Sequence, residues 1–205
     1  SDVYTRQENL RKYPLEERLH LEKICHDELS DLYMLCKDKR AEEQIGQCID
    51  LHRKWLAMDD RFERPHRDTT GYMMRAYAKM VYLRDLISRD KLNEYYQKCI
   101  GLARARGDMA EIYSTSARYY QCTGDYERAV AYIDSTITAY KSKGIKADLA
   151  PIYATQSYLY EKMGDYKNAL KAVRTTNNIR FNERVEEAQS SLAAVSYTHL
   201  TLPTI

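Results

Sequence analysis

The feature that most constrains this chain is an internal duplication in its second half. When residues 111–136 are laid over residues 151–176, an offset of 40 residues that sets Ile112 on Ile152, Tyr113 falls on Tyr153, Thr115 on Thr155 and Tyr120 on Tyr160. Gly124-Asp125-Tyr126 then falls on Gly164-Asp165-Tyr166, Ala129 on Ala169 and Val130 on Leu170. A structural unit copied along a chain points to an array whose units pack on their neighbours, not to one closed core.

Each copy reads as two helices. Ile112, Tyr113, Ser116, Ala117 and Tyr120 recur at three and four residues and form one stripe of a first helix. Gly124 supplies the left-handed conformation that stops it, and Asp125 caps the next helix. That second helix presents Ala129, Val130, Ile133 and Ile137. Small side chains at Ala117 and Ala129 let two helices approach, while the rings of Tyr113, Tyr120 and Tyr126 fill the flanks. The second copy keeps Tyr153, Tyr160, Gly164, Asp165, Tyr166 and Ala169 and places Ser157 where the first has Ala117.

This succession resembles the tetratricopeptide repeat: an aromatic early in the first helix, a small residue in its middle, a Tyr three residues on, a Gly-Asp-Tyr turn and an Ala soon after. Residues 109–143 and 149–179 match it. The family unit is about 34 residues, so the 40-residue offset implies longer helices or a longer link, the link being placed at residues 142–148. The resemblance implies an all-α chain, a right-handed superhelical array of antiparallel helix hairpins, with about four hairpins here. Composition agrees, with seven Gly, four Pro, 30% charged residues and nineteen Tyr against two Phe and one Trp.

Upstream the rhythm continues with weaker motifs. Pro14 opens a helix to about Lys37 with Leu19, Ile24, Leu29, Leu32, Tyr33 and Cys36 on its apolar side. A second, from about Arg40 to Met58, uses Ala41, Ile45, Cys48, Ile49, Leu51 and Trp55. After a polar break around Pro65, Thr69 or Thr70 caps a helix with Tyr72, Met73, Ala76, Tyr77, Met80 and Leu83. Another, from about Lys91 to Arg106, carries Leu92, Tyr95, Cys99, Ile100 and Leu102. The expected domains are degenerate hairpins over 1–106, two repeats over 107–180, the start of a further helix over 181–194, and a separate tail.

The tail, Val195 to Ile205, reads VSYTHLTLPTI and drops the charged character of what precedes it. It resembles the translation of a transposase adapter used in sequencing-library preparation, in which GTC TCT TAT ACA CAT CTG ACG CTG CCG ACG encodes Val195 through Thr204. The tail, His199 included, is therefore set aside from functional reasoning. The chain also begins without Met, and the expectation is of a natural N-terminus upstream and an output module beyond Ala194.

Several function classes are disfavoured. The formal net charge of +2 gives no global pull toward nucleic acid or an anionic membrane, and no apolar run approaches the roughly 20 residues of a membrane span. Five cysteines without a CxxC pair argue against a disulfide framework and for reduced, buried thiols. Cys48 and His52, with Cys25 and His26 upstream, are read as core side chains, not metal ligands. No phosphate loop, nucleophile elbow or HExxH is present, and the neighbouring Glu16-Glu17 and Glu42-Glu43 point in different directions on their helices. Arg61, Arg64, His66 and Arg67 are balanced by Asp59, Asp60, Glu63 and Asp68. The expectation is a chain without catalytic residues, cofactor or metal.

Tetratricopeptide arrays take peptides on the inner face of their first helices. Carried over, those positions are Ser114, Arg118, Gln121 and Cys122 in one copy and Ala154, Tyr158, Glu161 and Lys162 in the next. The implied partner is a protein or peptide, with Arg118 and Lys162 meeting a carboxylate and Tyr158 an apolar side chain. The Lys and Asn pattern of chaperone-binding members is not reproduced. The element order, ending in FNERVEEAQ, is similar to the sensor region of bacterial tetratricopeptide-containing histidine kinases. The alternatives are a free-standing adaptor or the repeat part of a helix-turn-helix regulator. A homodimer through the missing C-terminal helix, expected beyond Ala194, follows from the same resemblance. Unpaired cysteines favour the cytoplasm, whereas membership of a membrane-bound sensor implies the periplasm.

Overall fold

The computed structural model describes residues 15–58, 69–142, 144 and 149–201. Among them every regular element is an α-helix: α1 (Leu15–Leu35), α2 (Arg40–Met58), α3 (Thr69–Val81), α4 (Arg89–Arg106), α5 (Met109–Thr123), α6 (Tyr126–Ser142), α7 (Leu149–Lys162) and α8 (Tyr166–Thr201). The all-helical expectation holds for these residues. The chain divides into two compact units, Ser1–Thr123 and Gly124–Ile205. The division falls at Gly124, so α5 belongs to the first and α6 to the second. The basic cluster Arg61, Arg64, His66 and Arg67 lies outside the described residues.

Helix ends are set by a repeated piece of local chemistry. At Gly107-Asp108 and Gly164-Asp165 the glycine takes φ of 68° and 76°. The aspartate amide then reaches back five residues, Asp108 N to Ala103 O and Asp165 N to Tyr160 O, both 2.9 Å. The carboxylates cap the following helices, Asp108 accepting from Glu111 N at 3.2 Å and Asp165 from Asn168 N at 3.1 Å. Asp125 does the same for Arg128 N at 3.2 Å after Gly124, whose φ is 83°. Donors that a helix start leaves without partners are thus satisfied within three residues. Lys37-Asp38 performs the same turn between α1 and α2, with Lys37 at φ 53° and Asp38 N on Tyr33 O at 2.8 Å.

In the first unit, α1 with α2, α3 with α4 and α4 with α5 run antiparallel, as paired residues whose numbers rise on one helix and fall on the next demonstrate. His26 meets Gln44 while Lys23 O accepts from Cys48, aligning α1 with α2. Tyr77 stacks near Tyr95, and Met74 O accepts from Cys99, aligning α3 with α4. Tyr96 meets Ser116 and Asn93 meets Tyr119, aligning α4 with α5. The core formed between them includes Ala41, Ile45, Ile49, Met74, Tyr77, Met80, Cys99 and Ala103. Ile45, only 1% exposed, represents about 2 kcal/mol of burial on its own.

In the second unit α7 lies against α6 through Gln156, which donates to Asp134 at 2.6 Å. It lies against α8 through Ser157, whose hydroxyl donates to Ala169 O at 3.1 Å. Ser157, where the first copy has the small Ala117, therefore adds a buried hydrogen bond to the contact of α7 with α8.

Three expectations are corrected. On α1, Leu19 is buried, but Ile24 and Leu32 are exposed and Ser30 is fully buried, and Cys36, expected on this helix, lies just past its end and is exposed. Apolar residues surround α1, so periodicity alone does not select the side that α2 and α3 cover. Two of the five thiols are exposed, Cys25 on that helix and Cys36 just past its end, while Cys48 and Cys99 are buried and pushed up to about 12 by desolvation. Finally, no new helix starts near Asn182. α8 runs unbroken to Thr201, through Ala194 into the tail, because no Gly or Pro interrupts it before Pro203.

Candidate functional site

In the first unit, polar and aromatic side chains of α1 and α3 meet, and side chains of α5 meet the end of α3. On α1, Lys23, Asp27 and Asp31 follow at four-residue steps and so share a side. Lys79 of α3 bridges Asp27 at 2.6 Å and Asp31 at 2.8 Å. Its charged form is favoured by those two carboxylates over the opposing cost of burial, so its pKa is raised. Lys23 sits 3.9 Å over the ring of Tyr72, which also carries Arg75 at 5.2 Å and stacks on His52 of α2 at 5.1 Å.

Of the α5 residues expected to bind, Arg118 and Gln121 meet each other and Ser114 turns to its own helix. Arg118 donates from Nη1 to Gln121 Oε1 at 2.9 Å and lies 4.2 Å over the ring of Tyr82. Ser114 Oγ donates to Glu111 O at 3.2 Å. Gln121 is 8% exposed, so it holds Arg118 in place and offers little surface itself. Arg118 makes no ion pair among the described residues, unlike Lys79. Its positive charge is supported by a ring face and an amide and is not neutralised.

Beside it, a cleft of about 270 Å³ is lined by Arg84, Asp85, Arg89, Leu92, Cys122 and Thr123. Arg84 pairs with Asp85 at 3.3 Å. Burial raises the Cys122 thiol, with Arg84 and Arg118 pulling the other way. Glu111, at the opposite end of α5, accepts from the Thr115 hydroxyl at 2.7 Å. Burial raises its pKa, and nearby Asp108 adds to the rise while Thr115 and Arg75 oppose it.

In the second unit the expected residues occupy an exposed stretch of α7. Tyr158 is 37% exposed with Lys162 Nζ 5.3 Å above its ring, and Glu161 is exposed beside them. The pair can offer a cation over an aromatic surface to a ligand. The two residue sets belong to separate units, and each is a site element in its own right.

Sequence reasoning missed Lys23, Tyr72, Lys79 and Tyr82. The four-residue charge row on α1 was the legible signal. Without a Gly-Asp-Tyr turn to fix its register, that row could not be aligned with α5.

Among the described residues no helix is long and apolar enough to cross a membrane. The chain matches no protein-family model and no curated protein. Among solved structures it is similar to BtubC (BKLC) from P. vanneervenii, at 14% identity over 84% of this chain and 93% of that one, with a TM-score of 0.39.

Proposed function

We propose that the chain is a peptide- or protein-binding scaffold of tetratricopeptide type, a right-handed superhelical array whose first helices supply the binding surface. The carrying observation is that the duplicated Gly-Asp-Tyr turn recurs 40 residues apart at Gly124 and Gly164, each glycine at positive φ and each followed by an aspartate cap. A turn repeated in this way joins the two helices of each copy, and an array so built would present its first helices in a row. Arg118 on Tyr82, and Lys162 on Tyr158, are the cation and aromatic pairs such a surface would use.

In this reading the scaffold is the sensory or interaction part of a bacterial signalling protein, such as a histidine kinase, and an output module acts on what it binds. The Glu- and Gln-rich stretch of α8 supports it, being the polar helix that would lead to such a module.

The test begins with peptides selected on the chain by display from a random library. Selected peptides should lose about thirtyfold in affinity with Arg118→Ala or Tyr158→Ala, the scale of truncating an anchor residue, while circular dichroism and melting stay unchanged. Equal affinity for wild type and both variants rejects this face as the binding surface.

A further inference from the structure

The cleft of about 270 Å³ lies where the turn after α3, the start of α4 and the end of α5 meet, all within the first unit. Its walls carry two guanidinium groups from different elements, Arg84 in the turn and Arg89 at the first position of α4, against one carboxylate, Asp85. Arg84 is held between Asp85 Oδ1 at 3.3 Å and the sulfur of Cys122, to which it hydrogen-bonds, while the Cys122 thiol donates to Val81 O at 3.7 Å. The Asp85 side chain is 66% exposed, so water and salt screen its hold on Arg84. Arg89 makes no ion pair among the described residues, and Asp90, next to it, is exposed and does not line the cleft. Arg118, one turn before Cys122, adds its charge to the field at the thiol. The positive end of α4 and the negative end of α5 both border the cleft and offset one another, so the arginines set its sign.

We propose that this cleft binds a phosphomonoester, with the phosphoryl group between Arg84 and Arg89 and the carbon part along Leu92. A carboxylate offers two oxygens, enough for one guanidinium fork, whereas a phosphoryl group offers three and can satisfy two forks that arrive from different elements. Arg84, Arg89 and Arg118 against Asp85 leave two positive charges unbalanced, which is close to the charge of a phosphomonoester at pH 7. A water molecule needs only about 10–15 Å³ of cavity, so there is room for an organic group beyond the phosphoryl oxygens, and Leu92 supplies its apolar wall. A free metabolite and a phosphorylated protein side chain share this chemistry. Neither Arg84 nor Arg89 takes part in the proposed peptide face, so the two sites stand or fall separately.

Isothermal titration calorimetry of the 205-residue chain with phenyl phosphate, inorganic phosphate and benzoate tests the site. Phenyl phosphate should bind saturably, and inorganic phosphate and benzoate at least about tenfold more weakly, the first lacking the ring and the second the third oxygen. Arg84→Ala and Arg89→Ala should each weaken phenyl phosphate about tenfold with melting temperature and helix content unchanged. Asp85→Asn should tighten it about threefold by removing the anion that competes for Arg84, a gain that a merely structural ion pair does not produce. O-phosphoserine as the free amino acid and within a short peptide separates the sources: tighter binding of the peptide points to a phosphorylated protein, and equal or weaker binding to a metabolite. No saturable binding of phenyl phosphate overturns the proposal. So does equally tight binding of benzoate or inorganic phosphate, or an affinity that neither arginine substitution lowers.

Discussion

Lys37 occupies a left-handed backbone position, φ 53°, that the corresponding turns give to glycine. A side chain there costs about 1 kcal/mol relative to glycine. Lys37→Gly should raise the stability of the first unit by roughly that amount, read as a higher urea midpoint with unchanged slope; no change would mean the turn is held equally well by its neighbours. Asp125→Ala should do the reverse in the second unit, losing about 1 kcal/mol with the cap on Arg128 N. The caps also carry a pH signature. Hydrogen bonds from the Asn168 amide and then its side chain lower the Asp165 pKa, so its contribution is complete above the ordinary carboxylate range and is lost as pH falls through the lowered value. Asp38, held at about 2 by the Arg40 side chain and amide, behaves alike. Turn residues were the most legible part of the sequence at this scale. Gly-Asp announces both the stop and the start, whereas Lys37 conceals the same turn behind an unsuitable side chain.

Between elements, the contact of α1, α2 and α3 concentrates on His52, 2% exposed against the Tyr72 ring. Burial first, then Lys23, lowers its pKa to about 4, with Asp27 opposing. An unfolded chain takes up that proton near pH 6.5. The unfolded state therefore binds more protons between the two values, and the stability that neutral His52 contributes is complete above about 6.5 and declines toward 4. Urea midpoints should fall from pH 7.5 to 5, and His52→Gln should flatten that fall; parallel pH profiles would assign it to other groups. α2 shows how packing becomes legible: Ala41, Ile45, Cys48, Ile49 and Leu51 were expected inside and are buried. On α1 the same reasoning failed at Ile24 and Leu32, because the choice of side rests on Asp27 and Asp31 reaching Lys79, a contact between helices that no local period encodes.

For the whole molecule, the proposed binding surfaces on α5 and on α7 belong to separate units, and each depends on side chains held by neighbours, as Gln121 holds Arg118. The candidate site was drawn where the duplication fixed the register, at Ser114, Arg118, Gln121, Tyr158, Glu161 and Lys162. Its extension over Lys23, Tyr72, Lys79 and Tyr82 needed the three-dimensional neighbours of α5.

The unbroken course of α8 also has a mechanical side. Its seat against α7 ends near Ile179, and the 15 residues from Arg180 to Ala194 extend about 22 Å farther at the usual helical rise. With no Gly or Pro to act as a hinge, a tilt of about 10° at the seat displaces the far end by about 4 Å. Small rearrangements among Ala169, Ala172 and Thr176 would thus arrive at Ala194 enlarged, as the motion of a lever.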